Sequence, residues 1–192
     1  GSILGVALVF PRDTSADDRA PILAALSELQ RETGTLHLHL GRAGVLELEP
    51  VSWERPRQLT VRSSTWTRPS ETWITATPIA LDRNPGDLHH ADPAKRAAAF
   101  AEAERGVSDS VCRIGLPAPV AVEVSRSVLL QGACKPVQHP RFPLNPERPQ
   151  RVLVHARIRF ATPVRGPVLL GAGRYVGLGL CRPITPTSGE PS

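Results

Sequence analysis

This 192-residue chain lacks several features, and each absence removes a class of protein. No apolar run approaches the roughly 18 residues that a membrane-spanning helix needs, so no membrane partner is expected. The apolar stretch at residues 3–10 is only strand-length, without a basic leader or a small-residue cleavage site, and does not read as a secretory signal. Cysteine is scarce: Cys112, Cys134 and Cys181 are odd in number, widely spaced and form no CxxC pair. That argues against a zinc ribbon or a disulfide framework and fits a reducing cytoplasm. There is no GxxxxGK[ST] loop, no glycine fingerprint opening a helix, no GxSxG elbow and no HExxH helix. Carboxylates do not cluster as metal-dependent nucleases require, so no metal and no other cofactor is expected.

What is present is unevenly distributed charge. From Val120 onward ten basic residues face three acids, a net of +7, whereas the preceding residues carry thirteen basic and fifteen acidic groups, a net of −2. A basic C-terminal part on a near-neutral remainder suggests a polyanion reached through one face. Lysine occurs only as Lys95 and Lys135. Arginine suits phosphate contacts and base stacking, but a GC-rich genome produces the same bias, so the asymmetry carries the inference and the Arg/Lys ratio does not.

The densest motif is Gly171-Ala-Gly-Arg-Tyr-Val-Gly-Leu-Gly-Leu180, with Gly171, Gly173, Gly177 and Gly179 around Arg174 and the sole tyrosine, Tyr175. Glycine permits close backbone approach and offers main-chain donors, while an arginine and a ring suit a phosphate and a base face. The plainer reading is a tight turn into a last strand.

The element pattern repeats. Residues 3–10 read as a buried strand, residues 16–32 as a helix stopped by Gly34, and residues 35–40 and 45–49 as alternating strands. A three-residue turn between these two strands would set His39 opposite Glu47 and His37 opposite Glu49. Residues 58–66 are a further strand candidate. The order then begins afresh: a strand at 73–81 with Pro78 at an edge or bulge, a helix at 94–114 and a strand at 119–124. A long proline-rich loop at 131–150 follows, then strands at 151–160 and 174–182. Both units read β-α-β-β-β, so the expected fold is α+β, tandem ferredoxin-like (RRM-like) units with antiparallel sheets and a C-terminal glycine-rich loop. The expected domains are 1–70 and 71–186, with a disordered tail at 187–192; a hairpin-rich α+β sandwich is the alternative.

The strand at 151–160 sends Val152, Val154, Ala156, Ile158 and Phe160 to one face and Arg151, Leu153, His155, Arg157 and Arg159 to the other. Like charges repeated on one face repel, and a bound polyanion relieves that repulsion; a solvated face paired with Glu123 is the competing reading. Among the histidines, His155 has the best surroundings, flanked by arginines on a strand. His89 and His90 lie in a polar loop before a helix. His37 and His39 read as surface electrostatics, and His139 has no evident partner.

Four segments carry a resemblance: residues 3–12, 77–83, 114–120 and 164–180. Together with the repeated units, the glycine loop and the basic C-terminal half, they resemble the RAMP proteins of CRISPR systems. More narrowly, they resemble the type I-G (formerly I-U) subunit that fuses a backbone-capping half to a repeat-processing endoribonuclease half. The family's chains are longer, so the resemblance implies the endoribonuclease half alone. It also implies a cytoplasmic role in antiviral defence: cleavage of precursor CRISPR RNA within the repeat, retention of the guide RNA product, and partnership with other subunits of a type I, Cascade-like effector complex. The implied chemistry needs no metal. The 2′-hydroxyl attacks the adjacent phosphate, leaving a 2′,3′-cyclic phosphate and a 5′-hydroxyl, with a histidine as acid or base. Mapped onto this chain, the four glycines with Arg174 and Tyr175 cradle RNA, Arg157, Arg159 and Arg165 line the approach, and Arg83 is a further contact. Related enzymes often carry the catalytic histidine shortly after the first strand, but residues 11–19 contain none. His155, then His89 and His90, remain as candidates; the alternative is a non-catalytic subunit that holds the repeat-derived end of the guide.

Overall fold

The computed structural model describes residues 6–11, 13–39, 44–49, 59–145 and 147–184. By internal contacts the chain divides into Gly1–Ser63 and Ser64–Ser192. The expected tail at 187–192 lies outside the described residues.

In the first unit, α1 (Ala16–Thr33) begins at Ser15, whose hydroxyl accepts from the Asp18 N–H at 3.1 Å, and ends at Gly34 with φ of 77°. β1 (Leu36–His39) and β2 (Val45–Leu48) form an antiparallel hairpin. Its register differs by two residues from the one a tight turn sets: His37 faces Glu47 and His39 faces Val45. The connection runs from His39 to Val45, and loop length sets hairpin register. Residues 6–10 form no strand, and Val6, Leu8 and Val9 are exposed; residues 3–5 lie outside the described residues. A short apolar run becomes a strand only when a neighbour supplies hydrogen bonds along its edge. The strand expected at 58–66 is replaced by a 3-10 turn, Leu59–Val61, at the end of the first unit and a helical turn, α2 (Ser64–Thr67), that opens the second, with Gln58 outside the described residues. Serine and threonine hydroxyls compete with a ladder for the backbone, which favours such turns.

The second unit holds β3 (Ser70–Thr75), β4 (Ile79–Ala80), α3 (Pro93–Arg113), β5 (Ala121–Ser125), β6 (Leu153–Val164), β7 (Val168–Leu169) and β8 (Leu180–Ile184). All pairings are antiparallel. β6 lies between β5 and β3, β8 follows β3, and β7 pairs with β8; β4 also pairs with β6. Counting β3, β5, β6 and β8 as first to fourth, the order is 2-3-1-4, the ferredoxin-like arrangement. The second helix of that pattern is replaced by β7 and the glycine loop. Pro78 stands where β3 breaks into β4, and the N–H groups of Ala76 and Thr77 both donate to the Leu180 carbonyl, at 2.7 and 3.3 Å.

Asp92 caps α3 by accepting from the Ala94 N–H at 2.8 Å, with Pro93 at the first helical position. Ala99, Ala103, Val107, Ser110 and Val111 recur on one helical face and pack against the sheet. Val154, Ala156, Ile158 and Phe160 of β6 are buried beneath them with Trp73 and Ile79, as the alternation requires. Gly166 is tied to this core, because any Cβ there would overlap the Trp73 ring and the Trp66 carbonyl. No helix among the described residues is long and apolar enough to cross a membrane.

Candidate functional site

The sheet face opposite α3 is built by register. Paired residues on neighbouring antiparallel strands share a face, so Glu123, Arg157, Ile74 and Arg182 form one row across β5, β6, β3 and β8. Ala121, Arg159, Thr72 and Ile184 form the next. Arg157 and Arg159 are exposed and Arg182 is half-buried. The Arg157 guanidinium lies 3.5 Å from the Glu123 carboxylate, both well exposed, a pair worth little in water. Arg182 was not singled out by the sequence. Its signal is there in retrospect, since Cys181 and Pro183 are both buried and the residue between them must face outward. Arg165 is exposed just beyond β6. Arg83 follows β4 and lies on the helix side of the sheet, lining an open cavity of about 360 Å³ with Asp82, Glu102, Asp109 and Arg113.

His155 shares the face of Arg157 and Arg159 but not their exposure: it is 0% accessible. Residues 134–139 fold over this end, with a 3-10 turn, Pro136–Gln138, packed against β6. The His155 Nε2 lies 3.0 Å from the Cys134 carbonyl oxygen and its Nδ1 lies 2.8 Å from the Thr75 hydroxyl. A carbonyl only accepts, so Nε2 carries the proton and donates, and Nδ1 accepts from Thr75. The Thr75 oxygen in turn accepts from the Ala156 N–H at 3.0 Å. Both ring nitrogens are therefore satisfied in the neutral form. His139, which the sequence left without a role, lies on the same covering segment. Its Nε2 is buried without a partner, and loss of hydration, with the neighbouring His155, pushes its pKa below the ordinary value.

The loop histidines sit elsewhere. The exposed His89 ring meets the Arg126 guanidinium at Nδ1, and Arg126 directly follows β5. His90 Nδ1 accepts from the Asp92 N–H at 3.0 Å, which makes it part of the α3 cap. An arginine and an amide are donors, so in both neutral rings the proton sits on Nε2. Ser125 pairs with His155, Thr75 with Cys181, and Ala76 donates to Leu180. The end of β5, the start of β6, the end of β3 and the start of β8 therefore lie at one end of the sheet. Arg126 with His89, covered His155 and the glycine loop gather there. Among the described residues, no three His, Cys, Asp or Glu side chains come together as a metal site.

The glycine loop spans residues 171–179, between β7 and β8, and its centre is a 3-10 turn, Arg174–Val176, where the sequence suggests strand. Gly171 and Gly179 have positive φ, and a Cβ at either would collide with a backbone carbonyl, that of Ala80 or Leu170. Gly173 is packed against Leu178, and Gly177 lies at the exposed tip. The 77–80 segment binds the loop: the Thr77 hydroxyl donates to the Gly177 carbonyl at 2.9 Å and accepts from the Leu180 N–H at 2.9 Å. Arg174 and Tyr175 face outward together, with the Arg174 Cζ 4.4 Å from the ring centroid.

No curated protein and no solved structure shows significant similarity to the chain. A family model described as "CRISPR-associated protein, GSU0054 family" matches residues 55–183, which include the second unit's sheet but for its last residue, Ile184, together with Arg157, Arg159, Arg182 and the glycine loop. The chain belongs to this CRISPR-associated family.

Proposed function

We propose that this chain binds the repeat of precursor CRISPR RNA across the arginine face of its ferredoxin-like sheet and cleaves it there without a metal, keeping the guide RNA product within a type I effector complex. The observation that carries the reading is the cluster of exposed Arg157 and Arg159 with half-buried Arg182, spread over two neighbouring rows of the sheet face opposite the helix. Sheets of this order bind nucleic acid on that face, and the spaced guanidinium groups suit consecutive phosphates. Membership of a CRISPR-associated family supports this reading.

His89 and Arg126, at the end of the sheet where β5 finishes, have the chemistry for the cut. A phosphate arriving beside Arg126 draws the guanidinium away from His89, and the freed Nδ1 takes the proton of the 2′-hydroxyl. The 2′-oxygen then bonds to phosphorus while the bond from phosphorus to the 5′-oxygen breaks. The imidazolium returns its proton to that leaving oxygen, giving a 2′,3′-cyclic phosphate and a 5′-hydroxyl. Arg126 and the neighbouring arginines offset the charge that builds on the phosphorane.

A second reading is a non-catalytic subunit that only holds the repeat-derived end of the guide. It is favoured by His155, whose two nitrogens are occupied by Thr75 and Cys134 inside the fold. Labelled repeat RNA incubated with the protein in EDTA separates the two. Cyclic phosphate ends that disappear in His89→Ala, with binding retained, support cleavage through His89. Tight binding with no product at any pH, metal or time supports the holding role. Loss of cleavage in His155→Gln but not in His89→Ala moves the chemistry to the covered histidine.

A further inference from the structure

The glycine loop looks like a phosphate cradle, but six of its nine amides, at residues 171–179, are already used. The N–H groups of Gly171, Ala172, Arg174, Val176, Leu178 and Gly179 donate, in that order, to Ser110 Oγ and to the carbonyls of Ala80, Gly171, Gly173, Gly173 and Pro78. Those six bonds run between 2.8 and 3.4 Å. An anion seated on these amides would have to break the loop's own fold. The loop instead presents a side-chain pair at its tip. Tyr175 is 77% exposed, a large ring surface left in water in a chain with one tyrosine. Arg174 lies over that ring and is tethered at both ends of its guanidinium, donating to the Tyr175 hydroxyl at 3.0 Å and to the Gly171 carbonyl at 3.2 Å. The guanidinium covers ring surface on one side, so the exposed area is left on the other side and the edge.

We propose that Arg174 and Tyr175 form a pre-ordered stacking platform for one unpaired base, so that RNA passes the glycine loop as a single strand. The proposal rests on the RNA-binding reading above. A base in an A-form duplex is stacked on both faces and has none to offer, whereas an unpaired base can lie on the free Tyr175 face and extend the guanidinium–ring stack. Holding the arginine and ring together beforehand lowers the ordering cost of binding. The loop's glycines serve this by letting the turn close tightly against residues 77–80 rather than by touching the ligand.

The probes are a short adenosine-rich RNA strand carrying 2-aminopurine and a blunt RNA duplex of equal length, titrated at low salt. The single strand is expected to bind with quenched 2-aminopurine fluorescence. Tyr175→Leu should weaken that binding by about tenfold and remove the quench, as expected for one lost base–ring stack, while Tyr175→Phe keeps both. Duplex binding should not depend on Tyr175. Unchanged affinity and quench in Tyr175→Leu would overturn the platform and leave the RNA-binding reading intact. Equal losses for strand and duplex would overturn the single-strand assignment. Binding of neither probe by the wild-type protein would overturn the RNA-binding reading and the platform together, leaving the exposed ring to a protein partner.

Discussion

Arg157 and Arg159 occupy the same face of β6 as His155, each two residues from the next, and nothing in the alternation separates them. In the folded chain they belong to different environments. The arginines lie open beside Glu123, Ile74 and Arg182, whereas His155 is sealed under residues 134–139 with every ring nitrogen occupied. A strand period assigns a side, and the side becomes a surface only if no other part of the chain covers it. The open end therefore keeps its charges in solvent, and the covered end holds its histidine in a closed hydrogen-bond network.

The largest expected effect falls at the covered end. His155→Ala removes a buried ring and leaves Thr75 and the Cys134 carbonyl short of partners, so unfolding free energy should drop by about 2–4 kcal/mol, read from urea titrations. Arg157→Ala should stay within about 0.5 kcal/mol of wild type in the same assay. Equal losses would erase the distinction between the two ends.

The next effect belongs to the open end and to RNA rather than stability. Arg157→Ala combined with Arg159→Ala should weaken repeat RNA binding by about tenfold or more, and the slope of log affinity against log salt should flatten by about two. An unchanged salt slope would mean that phosphates lie elsewhere. Glu123→Gln tests the same face with opposite sign. Removing the carboxylate beside Arg157 should raise RNA affinity by about twofold, with stability nearly unchanged.

The smallest effect is a pH dependence at the covered end. His139 titrates below its ordinary value of 6.5 because it is desolvated and faces His155. The unfolded chain therefore takes up this proton at higher pH than the folded one, and folding gains stability with rising pH. The contribution is complete above the unfolded value and is lost as pH falls through the lower folded value. Urea midpoints measured at neutral and mildly acidic pH should fall more in wild type than in His139→Gln. A parallel fall in the two proteins would remove His139 from the account.

Much of the framework was legible in the residues. The buried alternation of β6, the capped helix α3 after Asp92 and the break at Pro78 all follow from local rules. Residues 6–10 and 59–66 misled because their patterns permit strands while the partner that would complete a ladder is a long-range matter. The site was legible as a list of arginines, glycines and histidines but not as an arrangement. Arg182 joined the row through pairing with Ile74, and the amides of Gly171, Ala172 and Gly179 in the glycine loop were spent on Ser110, Ala80 and Pro78, far earlier in the chain.

The sequence by itself determined the charge asymmetry, the two-residue period that divides core from surface on β6, and the family, because each depends only on residue identity and spacing. Tertiary structure alone decided which outward positions meet solvent. It folded residues 134–139 over His155, left Arg157 and Arg159 open, and turned the glycine loop inward so that Arg174 and Tyr175 face out. The physical reason is that burial and hydrogen-bond satisfaction belong to the assembled chain: a polar group's availability depends on which distant donor or acceptor reaches it first.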